Sequence, residues 1–170
     1  MLIRHPFLIL TLLCSLACAT VPPSSPPQPR TDLPAVPLLT LDGQPTGLPQ
    51  ALRGRVGLVA VWATWCEACS AEFDALTRLA DRAAARGAVV VAVAVGEKRS
   101  AVADFVARRG LRYQQLVDED FHLTDALGQS RVPTTLVVDR NGKIVFSGGA
   151  LDEAALSALR AALGEQMAFR

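Results

Sequence analysis

The chain contains an almost wholly apolar run, Val56-Gly-Leu-Val-Ala-Val-Trp62, followed after two further residues by Trp65-Cys66-Glu67-Ala68-Cys69. A short run of this composition is typical of a strand that is covered on both faces of a sheet. The residues from about Cys66 to Arg86 then show helical periodicity. The apolar face of this predicted helix carries Phe73, Leu76, Leu79, Ala80 and Ala83. The pattern therefore places two cysteines where a buried strand passes into a helix.

The position of this cysteine pair predicts redox chemistry. Cys66 is nearer to the start of the helix, where the positive end of the helix dipole favours the thiolate, the nucleophilic form. We expect Cys66 to be the more exposed thiol and to attack a substrate disulfide. Cys69 would then attack Cys66 and release the reduced substrate. The predicted redox group is a Cys66–Cys69 disulfide, with no other cofactor and no metal.

Other uses of paired cysteines have less support in the sequence. Zinc sites take four ligands, and the folded part of the chain offers only Cys66, Cys69 and His122. Haem attachment needs a histidine directly after the second cysteine, where Ser70 stands. One alternative stays open, which is a copper-binding or metallochaperone module that uses Cys66, Cys69 and His122.

Length and charge limit the class of function. The 170 residues, less a leader, fit one domain, and the formal net charge is +1. Proteins that bind nucleic acid usually present a strongly basic surface, which this charge does not support. We therefore expect no nucleic-acid partner.

The first 19 residues have the pattern of an export signal. Arg4 supplies a positive charge, and Phe7–Ala17 is shorter than the roughly 20 residues that a membrane-spanning helix needs. Ordinary signal peptidase could cut at Ala17-Cys18-Ala19. Alternatively, Ser15-Leu16-Ala17-Cys18 resembles a lipobox, which would leave Cys18 lipidated. A signal that stays uncleaved as an anchor is the third alternative.

The leader is followed by a proline-rich segment, Val21–Pro29. Such a composition predicts an extended tether, which suits a folded domain that is anchored to a membrane. We therefore favour a lipoprotein signal over residues 1–19 with Cys18 lipidated. The linker is predicted over residues 20–32 and the folded domain over 33–170.

The remainder of the domain is predicted to alternate between strands and helices. Further strands are expected at Ala88–Val95 and Gln114–Val117. A helix is expected to run to Arg109 from Ser100 as its N-cap, and a shorter one over Asp120–Leu127. Asp152 is expected to cap a last helix. This alternation predicts parallel strands with right-handed crossovers.

Two turn signals predict β-hairpins at the ends of the domain. Asp42-Gly43 predicts an N-terminal hairpin. Asn141-Gly142 predicts a C-terminal hairpin through a type I′ turn, because both residue types tolerate positive φ. The paired segments are Val36–Leu41 with Thr46–Leu48, and Thr134–Asp139 with Lys143–Ser147.

Three segments together resemble the exported thioredoxin-like reductases of the TlpA/ResA type. They are Trp62–Phe73 (W-A-T-W-C-E-A-C-S-A-E-F), Val93–Glu97 (V-A-V-G-E) and Arg131–Val145 (R-V-P-T-T-L-V-V-D-R-N-G-K-I-V). The resemblance covers about residues 33–165. It implies an α/β, thioredoxin-like fold, in which a mixed central sheet is flanked by helices and carries an added N-terminal β-hairpin.

The same resemblance implies an activity and a place in the cell. The activity is thiol–disulfide exchange on exported proteins, which in this family often reduces apocytochrome c before haem attachment. The implied partners are protein thiols and disulfides, with a membrane thiol-reductant transporter as electron donor. The implied location is the periplasmic side of the cell envelope, here with a lipid anchor.

Glu72 is a candidate catalytic residue. It lies three positions after Cys69, so a regular helix would put both on one face, and a partly desolvated carboxylate there could take the proton of Cys69. The resemblance supports this role, since S-A-E-F matches a glutamate of ResA-like proteins. Ordinary thioredoxins instead keep a buried aspartate where Ala60 stands. The alternative is a solvated glutamate in the first helical turn.

The segment Val132-Pro133 and Trp65 are candidate substrate-binding residues. Pro133 resembles the cis-proline that faces the dithiol in thioredoxin-like folds. A cis bond would turn the backbone of Val132 towards the reactive sulfur, where it can pair with an extended substrate segment. Trp65 is expected to shield one side of the disulfide and to offer an apolar contact.

Two further acidic residues lie in the matched motifs. Glu67, between the cysteines, favours a reductant, because strong oxidants stabilise the thiolate and a negative neighbour does the opposite. Glu97 matches the V-G-E motif, and a structural or surface role is expected for it.

Overall fold

The computed structural model describes residues 31–164 of the chain. The predicted signal peptide, Cys18 and all but the last two residues of the predicted linker lie outside this range. Within the described residues, no helix combines the length and apolar character that crossing a bilayer requires.

A mixed sheet of eight strands forms the centre of the described domain. The strands are β1 (Thr31–Asp32), β2 (Leu38–Thr40), β3 (Pro45–Thr46), β4 (Val56–Trp62), β5 (Ala88–Val95), β6 (Gln114–Asp118), β7 (Thr134–Val138) and β8 (Lys143–Gly148). The helices are α1 (Leu48–Leu52), α2 (Glu67–Ser70), α3 (Phe73–Ala84), α4 (Arg99–Arg109), α5 (His122–Leu127) and α6 (Glu153–Ala162).

The strand order across the sheet is β1-β8-β7-β4-β5-β6-β2-β3. β4, β5 and β6 are parallel neighbours, whereas β7 and β8 extend the sheet as antiparallel strands beyond β4. The β2–β3 hairpin pairs with β6 at one edge, and β1 pairs with β8 at the other. The predicted mixed sheet with an N-terminal hairpin is therefore confirmed.

Helices cover both faces of β4, so an apolar residue is buried at every position along the strand. All seven of its residues are buried. Leu58 and Trp62 face a core that includes Phe73 and Leu76 of α3. Val59 faces the opposite core. That second core contains Leu48 and Leu52 of α1 and Leu123 of α5.

The helix predicted from about Cys66 to Arg86 is interrupted, so this prediction is wrong in one respect. α2 ends at Ser70 and α3 begins at Phe73. The backbone N–H of Glu72 donates to the carbonyl oxygen of Cys69 at 3.1 Å, three residues back, instead of four. This tighter turn closes α2 before α3 begins. The apolar periodicity runs through the break and therefore gave no sign of it.

The predicted N-cap at Ser100 is also wrong, because Ser100 lies inside the first turn of α4. The N-cap is Lys98, whose side chain makes no capping bond. Instead, the Glu119 carboxylate accepts a hydrogen bond from the backbone N–H of Arg99 at 2.7 Å. By contrast, the predicted cap at Asp152 is confirmed, since its carboxylate accepts from the N–H of Ala155 at 2.8 Å.

The C-terminal hairpin forms as predicted, but its turn is not type I′. Gly142 has a φ of +75°, whereas Asn141 is not among the residues with positive φ. The carboxylate of Asp139 accepts hydrogen bonds from the N–H groups of Asn141 and Lys143, both at 2.9 Å. These two bonds stabilise a different turn, because an aspartate side chain can accept hydrogen bonds from backbone N–H groups that follow it.

Candidate active site

Cys66 and Cys69 lie where the sequence predicts them, just after the carboxyl end of β4. They form a disulfide with an S–S distance of 2.07 Å. Cys66 is the N-cap of α2, and its Sγ accepts a hydrogen bond from the backbone N–H of Cys69 at 3.1 Å. The exposed fraction is 6% for Cys66 and 2% for Cys69. Cys66 is thus the more exposed of the two residues, although both are buried.

The loop that leads to Cys66 is fixed by Glu97. Glu97 follows β5, and Oε2 of its carboxylate accepts a hydrogen bond from the backbone N–H of Thr64 at 2.6 Å. Oε1 accepts a second one from the Thr64 hydroxyl. Glu97 therefore has a structural role, as expected. It positions the segment directly before the cysteines. Topology could have indicated it, since the carboxyl ends of adjacent parallel strands share one edge of the sheet.

The Val132–Pro133 peptide bond is cis, the isomer that the family resemblance implied. Each residue of this segment lines a cavity that a residue of the cysteine motif also lines. A cavity of about 490 Å³ is lined by Pro133 and by Ala68. A smaller one of about 170 Å³ is lined by Val132 and by Trp65. Val132 and Pro133 thus each share a cavity with a residue of the segment Trp65–Cys69.

The two tryptophans of the motif have different environments. Trp65 is 68% exposed, so it leaves much of its ring open to a partner. Trp62 is buried and packs against Phe73 and Phe105, with ring centroids at 5.1 and 5.4 Å. Trp62 belongs to the core, whereas Trp65 is available for contact.

Glu72 lies at the break between α2 and α3, so regular helical spacing does not relate it to Cys69. Its carboxylate accepts a hydrogen bond from the backbone N–H of Leu151 at 2.8 Å. Burial raises the pKa of Glu72 above its usual value, an effect that the Leu151 bond opposes and the charge of Asp152 reinforces. The glutamate is therefore a half-buried acid close in sequence to the inner cysteine.

His122 does not join the cysteines in a metal site. Among residues 31–164, no group of three or more histidine, cysteine, aspartate or glutamate side chains is placed to hold a metal ion. His122 begins α5, where its backbone N–H donates to the buried Asp118 at 3.0 Å and about half of its side chain is exposed. The copper-binding alternative gains no support from this arrangement.

The Redoxin family model matches residues 28–163, which is most of the chain. This chain belongs to the Redoxin family. Among curated proteins, the thiol-disulfide oxidoreductase ResA of Bacillus subtilis (strain 168) is 34% identical over 94 residues, or 55% of this chain and 52% of ResA. The chain spans about half the length of the curated relatives it matches.

Solved structures extend this Redoxin similarity over nearly the whole described domain. A thiol:disulfide interchange protein of the thioredoxin family from Chlorobium tepidum TLS aligns with a TM-score of 0.66 and 26% identity, covering 80% of this chain and 98% of that one. A secreted thiol-disulfide isomerase from Corynebacterium glutamicum aligns with a TM-score of 0.68 and 25% identity, covering 79% and 87%. The thioredoxin-like fold and the resemblance to the ResA type are thus confirmed.

Proposed function

We propose that this Redoxin-family chain is a thiol–disulfide oxidoreductase that reduces disulfides of exported proteins. The observation that carries the proposal is the Cys66–Cys69 disulfide at the carboxyl end of β4, with Sγ of Cys66 accepting the N–H of Cys69. In the reduced protein the same donor would stabilise a Cys66 thiolate, because hydrogen bonds to a charged form favour that form. The Cys66–Cys69 pair is the proposed redox group, and no other cofactor is proposed.

The reaction divides into two exchange steps. The Cys66 thiolate attacks one sulfur of the client disulfide, so that a mixed disulfide forms and the first client thiolate leaves. Cys69 then gives up its proton and attacks Sγ of Cys66, which releases the second client thiolate. The client gains two electrons, and the protein returns to the Cys66–Cys69 disulfide.

Glu72 is the proposed acceptor of the Cys69 proton. A carboxyl whose pKa is raised by burial is a better base than an ordinary glutamate, and it can return the proton to the departing thiolate. Glu72 is also connected to Cys69 through the backbone hydrogen bond that closes α2.

The direction of the reaction is proposed from charge. The only charged residue between the cysteines is Glu67, which is exposed. Strong oxidants of this class stabilise the reduced thiolate, and a carboxylate at this position works against that stabilisation. We therefore propose a reductant. Its electron donor would be a membrane thiol-reductant transporter, and apocytochrome c is the client that the family resemblance suggests.

The location is proposed from the leader. The signal-like residues 1–19 and the proline-rich tether support export and a lipid anchor at Cys18, on the periplasmic side of the cell envelope. The secreted Corynebacterium glutamicum isomerase has the same fold. Mass spectrometry of the mature protein tests the anchor. Acylated Cys18 at the new N-terminus would support it, and an unmodified terminus after residue 19 would contradict it.

A trapping experiment tests the proposed activity. In the variant Cys69→Ser the second step cannot occur, so clients should accumulate as mixed disulfides on Cys66. The matched control is Cys66→Ser, which should trap few or none because Cys69 is the more buried residue. Equal trapping by both variants, or none by either, would contradict the proposed roles.

A further inference from the structure

Phe121 has an unusual combination of backbone conformation and exposure. It has φ +61° and ψ +19°, the left-handed region that glycine adopts readily and bulky residues avoid. Its side chain is 46% exposed. Within residues 31–164, Phe121 and Trp65 are the large apolar side chains that the fold leaves exposed. A bulky aromatic ring in such a conformation needs surrounding contacts that hold it there.

Those contacts are present around Phe121. Gly96 lies beneath the ring, and a Cβ built on it would be 2.0 Å from Cζ of Phe121. The buried carboxylate of Asp118 accepts hydrogen bonds from the N–H groups of His122 and Leu123, at 3.0 and 2.8 Å. These bonds fix the first turn of α5 and, with it, the backbone of Phe121. Gly96, which follows β5, therefore contacts the ring, and Asp118, which ends β6, holds the backbone beside it.

Phe121 and Trp65 both line one cavity, which we name the aromatic groove. Its volume is about 170 Å³, and Val95 and Val132 supply the rest of its apolar lining. Polar residues complete it: Thr124, Asp125, Gln129 and Ser130. An apolar cavity of about 150 Å³ is large enough to hold benzene. The aromatic groove therefore has room for one apolar side chain.

Two residues that line the aromatic groove are chain neighbours of the exchange site. Trp65 directly precedes Cys66, and Val132 directly precedes the cis-proline Pro133. An extended segment advances about 3.3 Å per residue. A client whose cysteine meets Cys66 would consequently place a side chain within about three residues of that cysteine over the groove.

We propose that the aromatic groove binds an aliphatic or aromatic side chain of the client, within three residues of the client cysteine. Phe121 is thus a specificity-determining residue. This inference rests on the proposed function, since it names the sequence that the same exchange site prefers. It also gives a reason for a phenylalanine where the backbone favours glycine, because a glycine there would leave the groove without one wall.

The test compares two model peptides with reduced full-length protein. Each peptide carries one cysteine in a mixed disulfide with 5-thio-2-nitrobenzoate, and the two differ only by phenylalanine or serine two residues from that cysteine. Cys66 releases the coloured thiolate directly when it attacks the peptide sulfur. When it attacks the other sulfur, the coloured thiolate leaves as Cys69 closes the disulfide. We expect the phenylalanine peptide to react roughly tenfold faster, as apolar pockets typically discriminate.

The variant Phe121→Asn should abolish this discrimination. Asparagine tolerates the left-handed conformation, so the backbone is kept while the apolar wall is lost. Within one variant, the ratio of the two rate constants cancels any change in overall reactivity. The matched control is Arg53→Asn, since Arg53 is the other non-glycine residue with positive φ in the described range and lies before the opposite end of β4. Its ratio should stay near tenfold.

The outcomes separate the inference from the function it rests on. If reduced wild-type protein reacts with neither peptide, the proposed function itself fails. If it reacts with both at equal rates, or if Phe121→Asn keeps the tenfold ratio, the aromatic groove is not a client site. Concentration-dependent dimers that Phe121→Asn dissociates would assign the groove to self-association instead. Should Phe121→Asn not fold, Phe121→Gly replaces it with the same expected result.

Discussion

Oε2 of Glu97 accepts the backbone N–H of Thr64 at 2.6 Å, across a sequence separation of 33 residues. This bond joins the end of β5 to the loop between β4 and Cys66. The Thr64 hydroxyl donates a second hydrogen bond across the same separation, to Oε1 of Glu97. The reactive sulfur is thus positioned by a carboxylate on the neighbouring strand end as well as by its own helix.

We expect Glu97→Ala to lower the free energy of unfolding by about 1.5–3 kcal/mol, because two hydrogen bonds to a charged acceptor are lost. Reduction of the model peptides should slow several-fold as the loop loosens. Urea unfolding and stopped-flow exchange measure the two effects. Thr64→Val is the matched control, since it removes the hydroxyl bond and keeps the backbone one, and its effect should be smaller. A wild-type exchange rate in Glu97→Ala would refute the positioning role.

The stability of the protein should depend on pH through the ionisation of Glu72. Its pKa is raised in the folded protein above the usual value of 4.5, so folding favours the protonated carboxyl. The stabilisation that the protonated Glu72 carboxyl provides is complete below its pKa in the unfolded chain. It is lost as the pH rises through its pKa in the folded protein. The variant Glu72→Gln cannot ionise. Its stability relative to wild type should therefore increase from about pH 4 to about pH 7.

Urea unfolding at both pH values measures this difference, with Asp74→Asn on the exposed face of α3 as the control. The same Glu72→Gln variant should close the mixed disulfide more slowly, which single-turnover kinetics can separate from the first attack. A relative stability of Glu72→Gln that falls with rising pH would contradict the assigned direction of the pKa shift. An unchanged closing rate would remove Glu72 from the proposed mechanism.

The contact between Gly96 and Phe121 can be measured as a coupling energy. Gly96 has φ +70°, and an added Cβ would meet the ring. We expect Gly96→Ala to cost about 1–3 kcal/mol of stability, from backbone strain together with the steric clash. In the Phe121→Asn background only the backbone cost should remain. A double-mutant cycle from thermal or urea unfolding tests this, and equal costs in both backgrounds would show that the two residues do not interact.

Asp118 is expected to be important for the first turn of α5. Its buried carboxylate accepts two backbone N–H groups, and an amide at this position can accept at only one oxygen. Asp118→Asn should therefore destabilise the protein by about 1–3 kcal/mol, the usual cost of leaving a buried polar group unpaired. Hydrogen exchange of the His122 and Leu123 amides should accelerate more than the exchange of the β4 amides does. Unchanged exchange at these amides would contradict the capping role.

The sequence predicts those features that depend on neighbouring residues. The sequence predicts β4 and β5 with their observed bounds, because both strands are buried on both faces and are apolar along their whole length. The hairpins follow from Asp42-Gly43 and Asn141-Gly142. The cap at Asp152 bonds to a residue only three positions ahead. In each case the signal and the structure it specifies lie within a few residues.

Features that depend on distant contacts were not predicted. Glu97 reaches Thr64 and Glu119 reaches Arg99 across 33 and 20 residues, and no local pattern links these pairs. The left-handed Phe121 contradicts the preference of its residue type, so propensity pointed away from it. The strand β1 and the helix α1 are short elements whose pairing and burial come from the tertiary fold. The aromatic groove could accordingly be found only in three dimensions.

The most direct test of the account is a redox titration of the wild-type protein against defined thiol–disulfide buffers, with free thiols at Cys66 and Cys69 counted by alkylation and mass spectrometry. We predict that both thiols appear together in a single two-electron transition, at a potential well below the roughly −120 mV of strong periplasmic oxidants. A transition near that value would contradict the reductant assignment. A pair that fails to cycle between its two oxidation states would contradict the redox account itself.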